Sequence, residues 1–465
     1  MVPDSKEIVI GIDASNINQG GGVTHLIELL AAIDLTTHNV TKVIIWSSEK
    51  VLLEIDNYPW LIKLSPVALN SGLFKQYIWR KYRLASVAKE EGCDLLFIPG
   101  GSYTCSFNPV VVMNQNLLPF KSNELLRYKI SWATARLILL RWIQSSSFRK
   151  ADGIIFLTNY AKKEVNKVIG DVSGMESVIP HGLNNRFFYK VKKQYPITSY
   201  NLNNPFRMVY VSGIHPYKHQ LNVVDAVSNL RSQGLPLALD LVGPAYPASL
   251  LQLKNKISKL DPDEKWVIYH GELPYSSIDE IYSKANLGVF ASSCESFGCI
   301  LLETMAAGLP IACSDRSPMP EILGDDGVYF NPERTPEITR ALLELIESPD
   351  LRYRKACASH KKSTKYSWGS CSSTTFSFFE EVIANYKNYS LYSKTFVRNK
   401  NSGNGNCGRS EYRTKHLSYA STQGIQAISR RLSRKMIGNI TTIGMLIFRI
   451  TSPPCRVWGA AATSP

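Results

Sequence analysis

Residues 291–310 read Ala291-Ser292-Ser293-Cys294-Glu295-Ser296-Phe297-Gly298-Cys299-Ile300-Leu301-Leu302-Glu303-Thr304-Met305-Ala306-Ala307-Gly308-Leu309-Pro310. An apolar run over 287–293 leads into this stretch. The order is therefore the end of a strand, a tight turn, a short helix and a Gly-Leu-Pro that stops it. A helix opening onto such a turn presents unpaired backbone N–H groups and a positive dipole end to an anion. Ser296 and Gly298 are small enough to let a ligand approach the backbone closely. Two carboxylates, Glu295 and Glu303, stand on either side of the turn.

The same alternation extends outward from this point. Strands are predicted at 207–213, 236–243, 266–271, 287–293, 309–314 and 327–330, with helices at 219–232, 249–260, 277–285 and 299–307. Short, nearly continuous apolar strands separated by helices indicate a parallel sheet covered on both faces. Helical segments follow at 336–347, 351–365 and 368–386. The first part of the chain repeats the pattern, with strands at 7–15, 40–48, 94–100, 109–115, 153–159 and 177–182. A loop carrying Gly20, Gly21 and Gly22 links the first of these strands to a helix over 23–35. Strand, glycine-rich loop and helix is a layout in which amides approach phosphate or sugar oxygens. A flexible connection is the plain alternative. The helix over 121–151 contains Trp132, Arg136, Ile138, Leu139, Arg141 and Trp142. Such a mixture suits either an interfacial membrane face or a buried helix with edge arginines, and we expect the buried helix. The polar stretch 189–204 breaks the periodicity and reads as a linker.

Composition restricts the class. A chain of 465 residues is too long for one core. Its 44% hydrophobic and 20% charged content is ordinary for a globular protein. The net charge of +15 is unevenly placed: residues 391–465 carry twelve Lys/Arg against the single acid Glu411, so the first 390 residues hold only +4. The basicity belongs to a tail, for which little packed structure is expected, and no nucleic-acid partner is expected. The nine cysteines stand without a C-x-x-C pair, which argues against a disulfide framework or zinc site and for a reducing compartment. The N-terminal residues carry acids and run directly into a strand, unlike a signal peptide. The apolar run 436–448 falls short of the ~20 residues that span a bilayer. A cytoplasmic protein, with peripheral contact at the inner face of a membrane, is the expectation.

In a doubly wound sheet, ligands bind at the carboxyl ends of strands. After 207–213 comes Ile214-His215-Pro216-Tyr217-Lys218, where Gly213 permits the turn and Lys218 is placed to meet a phosphate oxygen. After the next two strands come Gly243-Pro244 and Gly271-Glu272-Leu273, whose backbone suits the edge of a base. After 287–293 comes the Glu295–Glu303 turn. Amides near Gly298, Cys299 and Ile300 suit phosphate oxygens, with Ser296 and Phe297 beside them. Glu303, a helical turn beyond Cys299, suits the two hydroxyls of a ribose. Glu295, at the sugar end, suits hydroxyls or the positive charge developing at an anomeric carbon. The Asp261-Pro262-Asp263 triplet has a metal-binding spacing but falls between a helix and a strand, on the wrong side of the sheet, and reads as a turn. No metal site is expected.

These residues carry a resemblance. Glu295 and Glu303 with seven residues between, Ser-Phe-Gly inside and Ala-Ala-Gly-Leu-Pro after, resemble the donor motif of glycosyltransferase family 4. Further similarities are the Gly20-Gly21-Gly22-Val23 loop, Thr158-Asn159-Tyr160-Ala161-Lys162, Ile179-Pro180-His181-Gly182-Leu183, Lys218, and Ser317-Pro318-Met319-Pro320-Glu321-Ile322. The similarity covers about residues 7–388, and over 314–332 it is greatest to bacterial mannosyl- and related transferases of surface-polysaccharide assembly. It implies a GT-B fold: two Rossmann-like domains, 1–188 and 207–366, joined by a linker over 189–206 and facing across a cleft. A helix over 367–390 crosses back to the first domain, and a tail follows over 391–465. Two departures stand out. Gly213 occupies the position five residues before the lysine where an arginine is common, so phosphate charge rests more on Lys218. Asn114-Gln115-Asn116 replaces the frequent His-Asp, leaving Gln115 or Asn116 as the sugar contact of the first domain. His181 is read as either catalytic or interdomain structure.

The resemblance implies a retaining, metal-independent hexosyltransferase without a cofactor. Its donor is a nucleotide diphosphate-sugar, GDP-mannose favoured over UDP-sugars, and its acceptor a glycan or lipid-linked glycan. Lys218 and Glu295 are the expected catalytic residues. The alternatives are a nucleotide-sugar epimerase or hydrolase of the same fold, and a non-catalytic nucleotide-sugar-binding protein.

Overall fold

The computed structural model describes residues 7–18 and 20–401, with side chains up to Tyr389. Among the described residues, thirteen parallel strands form two sheets. The first holds β1 (Ile8–Asp13), β2 (Val40–Trp46), β3 (Leu61–Leu64), β4 (Leu95–Ile98), β5 (Val110–Asn114), β6 (Gly153–Phe156) and β7 (Met175–Val178), in the order β3-β2-β1-β4-β5-β6-β7. The second holds β8 (Phe206–Val211), β9 (Leu237–Val242), β10 (Val267–Tyr269), β11 (Leu287–Phe290), β12 (Ile311–Ser314) and β13 (Val328–Phe330), in the order β10-β9-β8-β11-β12-β13. Every pairing is parallel, as in β8 against β9 with Val211 opposite Val242. Helices cover both faces, which is why β4, β5 and β9 are buried at every residue.

Strand order reverses between β1 and β4 in the first sheet and between β8 and β11 in the second. A doubly wound sheet opens a crevice at that reversal, outside the strand ends. The two crevices are lined by the Gly20–Gly22 loop on one side and the Glu295–Glu303 turn on the other.

Several elements differ from the sequence prediction. The edge strand β3 is missed because Leu-Ile-Lys-Leu is too short to show a period. Strand β7 ends at Val178, leaving Pro180-His181-Gly182 in a loop. The helix predicted over 121–151 is two helices, Ser122–Leu126 and Trp132–Lys150. Lys129, with φ of 53°, breaks the run, and Ser131 caps the second helix by accepting from the Thr134 N–H at 3.3 Å. That second helix is also not the buried one expected. It buries Gln144, Ser145, Ser147 and Phe148, while Trp132, Ile138, Leu139 and Trp142 are exposed.

The linker is anchored by a buried arginine. Arg352 donates to Leu345 O, Ile346 O, Tyr195 O and the Gln194 side chain. The last helix, Trp368–Asn401, packs on the first domain through Phe379 against Phe97, ring centroids 5.0 Å apart. Ser372 Oγ donates to Leu29 O. The helix continues past residue 390, where the tail is predicted to begin. The remainder of that tail, including the run 436–448, lies outside the described residues. Among the described residues no helix is long and apolar enough to cross a membrane.

Candidate active site

The second sheet's reversal brings two loops together. Val211 ends β8, and the chain passes through Gly213 and His215 into a tight turn, Pro216–Lys218. Phe290 ends β11, and the chain turns through Glu295. Lys218 Nζ pairs with Glu295 Oε1 across this gap. Lys218 is buried, which works against its charge, but the carboxylate beside it prevails and holds the ammonium above its ordinary pKa. Ser317 fixes the turn from beneath: its Oγ accepts from Glu295 N–H at 2.9 Å and donates to Ser293 O at 3.2 Å.

The helix Cys299–Ala306 then starts at Gly298, whose φ of 106° suits glycine and which offers no capping side chain. Its opening amides therefore face the cleft without a protein acceptor of the usual capping kind. A Cβ at Gly298 would lie 2.8 Å from Met319 Cε. Gly213, Gly243 and Gly271 sit at the neighbouring ends of β8, β9 and β10. Gly243 N–H donates to Gly271 O at 2.8 Å, and the Gln220 amide donates to Gly213 O at 2.9 Å. Glu272 is exposed and Leu273 half-buried beside them.

The first domain supplies the facing wall. Gly20, with φ of 69°, precedes the helix Gly21–Ala31, again without a side-chain cap. Ser296 Oγ donates to Gln115 O at 2.7 Å, and Thr158 Oγ1 donates to Ser296 O at 2.9 Å. Asn116 Oδ1 is engaged locally, accepting from Leu118 N–H at 3.0 Å. Between the walls lies a cavity of about 710 Å³. Gly21, Gly22, Gln115, Asn116, His181, Glu295, Ser296, Phe297, Gly298, Cys299 and Ile300 all line it. A cavity of about 820 Å³ lies elsewhere, beside Lys192, Arg207 and Asn286. It opens at the amino ends of β8 and β11, the side that doubly wound sheets do not use for ligands.

Glu303 sits deeper than the sequence suggests. It is buried and does not line the cavity; its carboxylate accepts from Tyr275 OH at 3.1 Å and Tyr282 OH at 3.3 Å. Burial pushes its pKa up to about 7, against the opposing effect of the two hydroxyls and Arg186. His181 is buried against Phe297, ring centroids 5.6 Å apart, and burial holds its pKa well below the ordinary value. Asp261 makes the turn predicted for it, accepting from the N–H groups of Lys265, Trp266 and Val267.

A family model, glycosyl transferases group 1, matches residues 197–363. The matched segment is about a third of the chain. It contains Lys218, the Glu295–Glu303 turn and the three glycine strand ends. O-antigen chain mannosyltransferase B of Escherichia coli is 27% identical over 117 residues, 25% of this chain and 31% of that protein. Alpha-D-kanosaminyltransferase of Streptomyces kanamyceticus is 23% identical over 260 residues, 52% of this chain and 64% of that protein. The matched parts thus span less than two thirds of either relative. The sucrose-phosphate synthase of Thermosynechococcus elongatus has a similar structure. Its TM-score is 0.64 at 17% identity, covering 81% of this chain and all of that one. That likeness is one of fold, and with it the expected GT-B class of two Rossmann-like domains is borne out.

Opposite the matched segment, two further residues face the cavity, and Arg186 lies outside its lining. Arg136, on the helix Trp132–Lys150, lines the cavity. Asn16 lines it too; its Oδ1 is buried without a hydrogen-bond partner, packed where a Cβ on Gly100 would fall 2.1 Å away. Arg186 lies 3.9 Å over the Tyr275 ring, with Nε and Nη2 buried and unpartnered. Arg136 was visible only as an edge arginine.

Proposed function

We propose that the protein is a retaining hexosyltransferase that moves mannose from GDP-mannose to a glycan or lipid-linked acceptor. The observation that carries this reading is the Lys218–Glu295 pair at the β8/β11 reversal, with Glu295 on the cavity wall and an uncapped helix start beside it. The donor's diphosphate lies over the amides of Cys299 and Ile300, and Lys218 exchanges its carboxylate partner for a phosphate oxygen. Arg136 adds a second positive charge, from the opposite wall, where Gly213 leaves one missing. Each Glu303 oxygen accepts one tyrosine hydroxyl and keeps a free lone-pair site; a ribose hydroxyl would reach it only by entering beyond the present cavity wall. Glu295 is then free to bond the hexose and to balance positive charge at its anomeric carbon. The C–O bond to the leaving phosphate breaks, the bond to the acceptor oxygen forms on the same face, and the leaving phosphate takes the acceptor's proton. Mannose is favoured by the name of the Escherichia coli mannosyltransferase relative; GDP as its carrier is part of the proposal.

The acceptor side favours a protein that works at the cytoplasmic face of a membrane. The helix Leu73–Tyr82 exposes Leu73, Phe74 and Tyr82 among Lys75, Arg80 and Lys81. The helix Trp132–Lys150 likewise exposes aromatic and aliphatic residues, and apolar side chains edged with positive charge are a composition that settles on anionic lipid. Arg136 lies on the helix Trp132–Lys150 and on the cleft wall, so a lipid-linked acceptor has a short path inward.

The test is transfer of radiolabelled mannose to lipid-linked glycans. Lys218→Ala and Glu295→Ala are expected to lower kcat by roughly 100- to 1,000-fold, the range for removing one transition-state stabiliser. Arg136→Ala is expected to raise KM by about 10-fold, equivalent to ~1.4 kcal/mol. Wild-type rates in the Lys218 and Glu295 variants would overturn the assignment.

A further inference from the structure

Three side chains from distant parts of the chain meet behind the cleft. His25 comes from the helix Gly21–Ala31, His181 from the loop after β7, and Cys371 from the first turn of the helix Trp368–Asn401. All three are buried, and their ligand-forming atoms lie within 4.8 Å of one another. His25 Nε2 and His181 Nδ1 have no hydrogen-bond partner. A buried polar atom left unsatisfied is destabilising, so two facing each other call for an explanation. The imidazoles face each other with centroids 4.7 Å apart. A neutral imidazole carries one ring-nitrogen lone pair, which suits a metal.

We infer that His25, His181 and Cys371 form a binding site for a single Zn²⁺ ion, which shares the His181 ring with the cavity wall. Two imidazole nitrogens and one thiolate are a donor set that zinc takes, with a water in the fourth position. Zinc binds nitrogen at about 2.0–2.1 Å and sulfur at about 2.3 Å. Tetrahedral placement at those lengths sets the ligand atoms roughly 3.3–3.6 Å apart, so each moves by less than about 1 Å to close on the ion. A cavity of about 30 Å³ beside His181 and Cys371, lined also by Ser367, Ser370 and Thr374, has room for the water.

The outer groups fit as well. Gln115 Nε2 lies 3.3 Å from His25 Nδ1. With its amide turned over, Gln115 would accept from Nδ1–H and leave the Nε2 lone pair for the metal, as carbonyl partners do for ligating histidines. The Cys371 thiol gives its proton to solvent as the zinc–sulfur bond forms. The ion would join three elements: the helix after the glycine loop, the loop that enters the linker, and the last helix. It would also fix the His181 ring against Phe297 in the donor turn. No motif marks the site, because the ligands lie 156 and 190 residues apart along the chain.

The experiment uses the full chain, freed of any affinity tag and stripped with a chelator, then titrated with ZnCl₂ and CoCl₂. One equivalent of Zn²⁺ is expected to bind, and the Co²⁺ form to show thiolate-to-metal charge-transfer absorption. Cys371→Ser is expected to abolish that band and weaken Zn²⁺ binding by at least about 100-fold, since loss of mere outer-shell partners already costs 10- to 100-fold. X-ray absorption on the wild-type zinc form needs no variant to fold, and should show one sulfur with nitrogen or oxygen neighbours. Absence of saturable binding would overturn the proposal and leave the cavity to an ordered water. A shell without sulfur, or a charge-transfer band unchanged in Cys371→Ser, would overturn it equally.

Discussion

Glu295 and Glu303 look alike in the sequence, yet their surroundings differ. Glu295 stays at the cleft wall with an ammonium beside it. Glu303 is enclosed by Tyr275, Tyr282 and the neighbouring Arg186, and titrates near 7. The spacing placed Glu303 on the helix face of Cys299, which is correct, but spacing carries no information about depth. Depth depends on Tyr275 and Tyr282, which arrive from another element. This has a measurable consequence. The carboxyl titrates higher folded than unfolded, so the folded state holds the extra proton between pH 4.5 and about 7, and its contribution to stability falls as pH rises through that window. At about 1.4 kcal/mol per pH unit of displacement, Glu303→Gln should gain roughly 2–3 kcal/mol relative to wild type between pH 5 and pH 8, read by urea denaturation. A constant difference across that range would show an ordinary carboxylate.

Elements with a strong period were legible, and those set by tertiary contacts were not. The strands that carry the site, β8 and β11, announce themselves as apolar runs ending in Gly213 and in the Glu295 turn. Strand β3 does not, since four residues at a sheet edge show no pattern. The helix Trp132–Lys150 was assigned correctly as helix but to the wrong environment: its apolar residues suggested burial, and they are exposed. Its two faces differ by which elements lie beside it, not by its own composition. If the exposed side rests on lipid, Leu139→Ser with Trp142→Ser should reduce sedimentation with vesicles containing anionic phospholipid by about 10-fold while leaving donor affinity unchanged. Equal sedimentation would remove the membrane from the account. The helix start at Gly298 offers a second check. Gly298→Ala meets Met319 and demands a strained φ, so thermal denaturation should show a loss of about 1–3 kcal/mol, and donor affinity should fall with it.

At the scale of the whole molecule, two sheets present their reversal points to one cleft, and side chains from both domains bridge it. Glu321 accepts from the Asn159 and Tyr160 N–H groups at 2.8 and 2.9 Å, Ser293 Oγ donates to Glu124 at 2.9 Å, and Tyr128 OH meets His215 Nδ1 at 3.2 Å. The two-domain plan was legible because each half repeats the same strand–helix alternation around a polar linker. The pairings across the cleft were not, since each joins residues more than 80 positions apart. The claim that unites these scales is that the β8/β11 reversal holds a nucleotide diphosphate-sugar. Thermal denaturation of the full chain with GDP-mannose and with UDP-glucose tests it most directly, because a ligand at 100 times its Kd stabilises the folded state by about 2.7 kcal/mol. The account predicts a rise of several degrees in Tm with GDP-mannose, a smaller one with UDP-glucose, and no rise in Lys218→Ala. Unchanged Tm with both nucleotide-sugars, or an equal rise in the Lys218 variant, would contradict it.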